Sequence, residues 1–200
     1  MPIFVEPVID EDLGIANHMP LEALKIQIAN HPDAKAVLII NPTYFGVASN
    51  IKDIVDIVHQ HNMLVLADEA HGSHMVFSDE LPITAMQAGA DLSATSIHKT
   101  SGSLTQSSAI LAQGSRFDYT RLVATIHMVQ STSPSALLLA SLDVARKAMY
   151  FHAKDKIENL IPNVREVVAK INMLKGLRVS TKEDFLKQGA THFDETKLII

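Results

Sequence analysis

Three short stretches concentrate reactive side chains in an otherwise apolar sequence: Asn41–Gly46 (NPTYFG), Asp68–His74 (DEAHGSH) and Ala94–Ser108 (ATSIHKTSGSLTQSS). Several chemistries could be built from them. LVLADEAH has the form of an apolar strand ending in DEAH, where an NTPase would hold Mg²⁺ on the Asp and position water with the Glu. That chemistry also requires a G-x-x-x-x-G-K-[ST] phosphate loop, and no such run occurs. A metal site could draw on His71, His74, Asp68 and His98. Gly72-Ser73 between the first two histidines argues against a helix, however, and the H-E-x-x-H spacing is absent, so no metal is expected. His98-Lys99 with the surrounding serines could also be a solvated polar loop. The remaining chemistry is that of pyridoxal phosphate (PLP), which needs a lysine amine for its aldehyde, an acid for its ring nitrogen, and hydroxyls for its phosphate. Lys99 is the amine, Asp68 the acid, and Ser96 a phosphate hydroxyl. Ala70 is a small side chain for one ring face. A nearby pyridinium and partial burial would both help such a lysine lose its proton. Taken alone, these residue types leave the PLP site and the polar loop both open.

Positioning these groups is the task of the elements around them. Ala36–Ile40 (AVLII) and Met63–Ala67 (MLVLA) are continuous apolar runs that suit strands buried on both faces of a parallel sheet. Between them Asn50 can cap a helix with apolar positions Ile51, Ile54, Val55 and Val58 and an acid, Asp53, in its first turn. Strand, helix and strand make a βαβ unit with a right-handed crossover. Pro20–Ala29 reads as a helix, Leu81–Ala88 as a short one, and Leu92–Ser96 and Ser108–Ala112 as strands. The pattern predicts an α/β sheet with Asp68 and Lys99 beyond the carboxyl ends of strands, where ligands bind in such sheets. Ile3–Val5 reads as a further strand. Ser135–Tyr150 is a strong helix former, and an apolar stripe at helical spacing continues to Leu174, with Pro162 expected to kink or divide it. Leu177–Val179 and Lys197–Ile200 read as strands. Terminal strands without neighbours suggest a fragment of a larger fold.

The 200 residues carry 17 basic and 22 acidic side chains, a net charge of −5, with no basic run that could track a phosphate backbone. No cysteine is present, which removes disulfides, thiolate metal sites and cysteine nucleophiles. No apolar run approaches the roughly 18 residues needed to span a bilayer, and residues 1–20 have acids and prolines in place of a signal peptide. A cytoplasmic location is expected.

Ala94–Ser108 resembles, position by position, the cofactor-attachment signature of the Orn/Lys/Arg decarboxylases: a small residue, then Ser, His and Lys at fixed spacing, then T-Q-S-S. Asp33–Ile40, NPTYFG, LADEAHGSHMVF, LPITAMQAGADL and SPSALLLASLDVARK resemble the same family's large domain in the same order, and the likeness is strongest to the shorter bacterial members. The resemblance implies the aspartate-aminotransferase fold of PLP enzymes, a mostly parallel seven-stranded sheet with helices on both sides. It divides the chain into residues 1–152 of the PLP-binding domain, a connecting helix at 153–175, and the start of a small C-terminal domain at 176–200, truncated at both ends. It makes Lys99 the Schiff-base lysine and Asp68 the ring-nitrogen partner, and places Ser96 and His98 at the phosphate and on the substrate carboxylate side. His98 or Lys99 would return a proton to the substrate carbon. His71 is expected to face the substrate or support those that do. Thr43 would approach the cofactor or serve as a turn residue beside Pro42. Ser131 and Thr132 would reach the phosphate of a neighbouring subunit in a homodimer or larger homo-oligomer. Glu69, Asp79 and Glu80 read as acids that face solvent or cap helices. The implied reaction is decarboxylation of a basic amino acid, arginine before lysine or ornithine. Transamination or aldol cleavage on the same fold, or a remnant that only binds partners, are the alternatives. The family's phosphate loop and ring-stacking histidine would lie upstream of Met1.

Overall fold

Apolar runs alternating with amphipathic stretches become, in the computed structural model describing residues 1–200, a four-stranded sheet with helices laid on one face. The chain opens with a small hairpin, β1 (Ile9–Asp10) and β2 (Ile15–Ala16), and continues through α1 (Leu21–Asn30), β3 (Ala36–Ile40), β4 (Val47–Ala48), α2 (Ile51–Gln60) and β5 (Leu64–Asp68). A 3-10 turn at Met75–Phe77 leads to α3 (Ala85–Ala88), β6 (Leu92–Thr95), α4 (Ile97–Thr100) and β7 (Ala109–Ala112). The remainder is helical, with α5 (Tyr119–Val129), α6 (Ala136–Asn172) and α7 (Lys182–Lys187), before β8 (His192–Phe193). The main sheet has the order β3-β5-β6-β7. β3, β5 and β6 are parallel, with Ile40 beside Asp68 and Asp68 beside Ala94, whereas β7 runs antiparallel to β6.

One face of this sheet carries the main core. Ile39, Val65 and Ala67 meet Leu24 and Ile28 of α1, Ile51, Ile54, Val55 and Val58 of α2, and Ala85 and Ala88 of α3. Each fully buried Leu, Ile or Val side chain of that set stabilises the fold by about 1.5–3 kcal/mol. The α2 stripe faces inward as its spacing predicts, and Asn50 caps the helix by accepting from Asp53 N at 3.3 Å. The opposite face differs from the expected doubly covered sheet. Leu38, Ile40 and Ile110 are 66%, 55% and 51% exposed. Four strands stand where the resemblance implies seven, and helices pack on one side because no element of these residues lies over the other.

Local differences have local causes. Ile3–Val5 forms no strand, and the pairing at this end is the β1–β2 hairpin, whose turn is held by the buried Asp10 accepting from Asp12 N and Leu13 N. The helix expected over Leu81–Ala88 starts only at Ala85, because Thr84 and Gln87 form a reciprocal capping box. The stripe through Pro162 is not divided: α6 runs 37 residues, and Ala153, Ile157 and Ile161 bury under Met75 and Leu81. This helix starts at Ala136, so the boundary expected at 152/153 falls inside one continuous element. Leu177–Val179 and Lys197–Ile200 form no ladder; the backbone bond nearest to such a pairing comes one residue later, from Ser180 N to Ile199 O at 2.8 Å. The strand in this region is β8, which pairs antiparallel with β4 and shares a core of Val47, Phe185, Ala190 and Phe193. No helix is long and apolar enough to cross a membrane.

Candidate active site

β5 and β6 end side by side, and both strands lead into polar segments. Asp68, the last residue of β5, lies on the open face of the sheet opposite Ala94. Its Oδ1 accepts from Ala70 N at 3.0 Å, and the carboxylate forms no ion pair. The next residue, Glu69, points the other way. It is 2% exposed, where a solvent-facing acid was the alternative to a helix cap. Its Oε1 accepts from Ala85 N at 2.7 Å and from Asn41 Nδ2 at 3.3 Å, and its Oε2 from Ser93 Oγ at 2.7 Å. It therefore caps α3 from within the core while tying together the ends of β3 and β6. Burial pushes its carboxyl above the usual range, against the opposing effect of those three bonds. Asp79 and Glu80 are exposed, and Glu80 pairs with Arg165 of α6 at 2.8 Å.

Beyond β6 the chain turns directly into α4, with Ser96 at its N-cap position and Lys99 in its single turn. The Ser96 side chain makes no capping bond. His98 Nδ1 lies 2.7 Å from the Ser107 carbonyl oxygen. A carbonyl can only accept, so Nδ1 carries the hydrogen and Nε2 is the nitrogen left to take or give a proton. Ser73 Oγ sits 2.6 Å from both Thr100 Oγ1 and Ser101 Oγ, a hydroxyl clasp that fastens the loop after β5 to the turn holding Lys99. Through this clasp the two reactive stretches become one cluster.

Lys99 is exposed, forms no ion pair, and has its Nζ 3.3 Å from His71 Nε2. On the other side of the same ring, His71 Nδ1 is 3.3 Å from Lys197 Nζ. Tyr44 meets the ring edge-on, with centroids 5.1 Å apart at 81°. Burial, then the positive charges of Lys197 and Lys99, hold the His71 imidazole below the ordinary histidine range, with Asp68 and Asp194 pulling the other way. Lys197 belongs to the turn Asp194–Lys197 after β8, closed by Lys197 N donating to Asp194 O at 3.0 Å. Asp194 is fully buried, with His74 Nε2 3.0 Å from its Oδ2 and Thr196 Oγ1 donating to its Oδ1 at 2.6 Å. Burial alone would raise this carboxyl. The His74 and Thr196 contacts outweigh it and hold the group below the usual range.

The remaining residues singled out from sequence lie at different distances from this cluster. Ala70 is half-buried in the loop between Asp68 and His71. Thr43 shapes the NPTYFG loop, its hydroxyl accepting from Val47 N at 3.2 Å and its carbonyl from Gly46 N at 2.9 Å. Ser131 and Thr132 are exposed in the loop between α5 and α6, where Ser131 Oγ accepts from Ser133 N at 3.1 Å. Lys197, Tyr44 and the buried Glu69 were not legible as site residues. Lys197 lies 126 positions from His71, so no spacing rule reaches it.

An amine without an ion pair, a carboxylate without an ion pair at the neighbouring strand end, an uncommitted serine hydroxyl and a small residue in the loop after that carboxylate fit what PLP requires of its holder. Residues 1–194 match the family model described as Orn/Lys/Arg decarboxylase, major domain. The arginine decarboxylase of Bacillus subtilis (strain 168) is 45% identical over 200 residues, covering 100% of this chain and 41% of that protein. The arginine decarboxylase of Halalkalibacterium halodurans is 45% identical over 199 residues, covering 100% of this chain and 40% of that protein. The chain thus spans about two fifths of the length of these curated relatives. Among solved structures, lysine decarboxylase A from Pseudomonas aeruginosa superposes with a TM-score of 0.75 at 24% identity, covering 92% of this chain and 28% of that one. The E. coli constitutive lysine decarboxylase gives 0.67 at 20% identity, covering 90% and 28%. An aspartate aminotransferase from Thermotoga maritima gives 0.55 at 16%, covering 82% and 43%. These structures share the α/β fold with its mixed, mostly parallel sheet.

Proposed function

Since the chain belongs to the Orn/Lys/Arg decarboxylase family, we propose that it carries the cofactor-attachment part of a PLP-dependent decarboxylase acting on a basic amino acid. Arginine is the leading substrate, giving agmatine and CO₂ for polyamine metabolism, because the Bacillus and Halalkalibacterium relatives are both arginine decarboxylases. The observation that carries the reading is the placement of Asp68 at, and Lys99 just beyond, the carboxyl ends of adjacent parallel strands, both exposed and free of ion pairs.

Bound PLP supplies a cationic ring that accepts the electrons released when the bond from Cα to the carboxylate breaks. Lys99 is the residue that would hold its aldehyde, and Asp68 would keep the ring nitrogen protonated. The Ser96 hydroxyl would serve the phosphate, and Ala70 would leave room against a ring face. His98, with Nδ1 committed to the Ser107 carbonyl, has Nε2 to hold a proton and return it to the substrate carbon. Lys99 is the second group able to do so. Ser131 and Thr132, exposed in the loop between α5 and α6, would serve a second copy of the chain in a homodimer or larger homo-oligomer. Residues 1–152 act as part of the cofactor domain, the C-terminal portion of α6 as connector, and 176–200 as the opening segment of a smaller one. Because Asp68 and Lys99 are exposed to water here, the 200 residues alone bind PLP weakly and turn over poorly.

The test uses the full-length protein in which these residues occur. After loading with PLP and reduction with borohydride, peptide mapping is expected to find the pyridoxyl label on Lys99. CO₂ is expected to be released from arginine faster than from lysine or ornithine. Lys99→Ala should reduce both signals to background. A label on a different lysine, or unchanged CO₂ release by the variant, would overturn the reading.

A further inference from the structure

Four consecutive residues, His71 to His74, are each engaged by a different part of the chain. His71 meets the Tyr44 ring edge-on and has Lys197 Nζ 3.3 Å from its Nδ1. Gly72 packs so closely that an added Cβ would come within 3.1 Å of Pro42 Cδ and 3.2 Å of the Asn41 carbonyl oxygen. Ser73 makes the hydroxyl clasp to Thr100 and Ser101, at the end of the turn that carries Lys99. His74 is buried against Asp194, with Thr196 Oγ1 3.3 Å from its Nε2.

One turn grips this segment at both ends, Lys197 at His71 and Asp194 at His74. That turn is itself fixed from three directions. Asp194 N donates to Gly46 O at 2.8 Å, and the Asp194 carboxylate accepts from Thr196 N at 3.0 Å and from Thr196 Oγ1 at 2.6 Å. Arg165 of α6 holds Glu195 with two hydrogen bonds of 2.9 Å each, the forked geometry that fixes a carboxylate in orientation as well as position. Gly46 provides the seat. It has φ +88°, and a Cβ there would lie 2.8 Å from Lys197 Cγ and 3.3 Å from the Asp194 carbonyl oxygen, so the turn fits only against glycine.

We propose that the Asp194–Lys197 turn, seated on Gly46, is a brace that positions His71 beside Lys99, with Asp194 and Gly46 as its positioning residues. A side chain at a reactive centre keeps its place only when the groups behind it are themselves locked. The brace also gives a use to Tyr44 and Gly46 of the NPTYFG stretch, which the proposed cofactor contacts leave unassigned. Its bearing on the reaction rests on the reading of Lys99 as the cofactor-holding amine, whereas the brace itself requires no cofactor.

The experiment treats the full-length protein, before PLP is added, with diethyl pyrocarbonate and follows modification of His71 by peptide mapping as pH is varied. The neutral imidazole reacts, so the profile gives a titration midpoint and its plateau rate reports access to the ring. Burial, then the charges of Lys197 and Lys99, hold the wild-type midpoint below the ordinary histidine value, with Asp68 and Asp194 opposing them. A wild-type midpoint at or above the ordinary value overturns the proposal without any variant. Asp194→Ala separates two roles by sign. If Asp194 acts on His71 through its charge alone, the midpoint falls and the plateau rate is unchanged, which overturns the proposal. If it holds the brace, its loss exposes His71 and withdraws Lys197, and both midpoint and plateau rate rise; this is the expected result. Gly46→Ala changes no charge and should give the same two rises; an unaltered His71 profile there overturns the proposal. His59, half-buried with its Nε2 2.9 Å from Asp91 Oδ2, should keep its wild-type profile in both variants. A rise shared by His59 marks general unfolding and overturns the local role. PLP labelling of Lys99 separates the brace from the reading it rests on. Labelled Lys99 with an unaltered His71 profile in the variants sinks the brace alone. Unlabelled Lys99 with His71 responding as expected sinks the cofactor reading alone.

Discussion

Asp68 and Glu69 are adjacent acids with opposite surroundings, and the period-two alternation of an extended chain separates them. Asp68 leaves β5 on the open face. Glu69 turns to the helix-covered side and accepts three hydrogen bonds there. Removing it strands the Ala85 N–H and the Ser93 hydroxyl, so Glu69→Ala should cost about 1–3 kcal/mol in urea denaturation. Glu69→Gln should cost much less, because its amide oxygen can accept from Ala85 N while its NH₂ donates to a rotated Ser93 hydroxyl. The pH dependence has a definite sign. Burial raises the folded carboxyl above its unfolded value, so the native state binds the proton more tightly. The stability this group contributes is fully present below the ordinary carboxylate range and is lost as pH rises through the raised folded value. Glu69→Gln should flatten that part of the stability profile. A profile of identical slope in wild type and variant would show that Glu69 does not titrate in this window.

At the level of elements, α2, β3 and β5 were readable, as were the four-residue β6 and β7, whereas α5 and the two-residue strands were not. α2 is specified twice, by its apolar stripe and by the Asn50 cap, and β3 and β5 by apolar runs bounded by polar residues. β4 and β8 have two residues each and exist because Val47 and Phe193 bury each other's surroundings in a shared core, which no local pattern announces. Pro162 shows the limit of a local rule. Proline removes one backbone donor and crowds the preceding turn, yet α6 continues because the burial of Ala153, Ile157 and Ile161 on one face outweighs that loss. The ring of Pro162 itself is exposed. Pro162→Ala should therefore restore the missing bond at little packing cost and raise stability by about 1–3 kcal/mol, read as a higher urea midpoint. A lowered midpoint would mean that the proline's shape is required where it stands.

Across the whole molecule, the sheet is covered on one face and bare on the other. Leu38, Ile40 and Ile110 share the bare face with Asp68, so the candidate site opens beside an apolar surface. The 200-residue chain on its own should bind a hydrophobic dye and scatter light at concentrations where a fully covered sheet would not. The pair Leu38→Lys and Ile110→Lys should reduce both signals while leaving the melting temperature within a few degrees, because exposed side chains contribute little packing. Unchanged dye binding in that double variant would place the sticky surface elsewhere, with the exposed side chains of α5 and α6 the next to examine.

Sequence alone determined the α/β pattern, the placement of Asp68 and Lys99 at strand ends, and, through the signature around Lys99, the family. These are local properties: apolar periodicity, residue type and fixed spacing survive without a fold. Tertiary structure decided what those residues meet. Lys99 faces His71 because a serine and two hydroxyls clasp two loops, and Lys197 arrives from a turn held in place by a two-residue strand pairing and a buried aspartate. Glu69 lies in the core because its neighbour's side of the strand is open. Such contacts join residues far apart in the chain. They are set by which surfaces pack together, and that is information no short stretch of sequence contains.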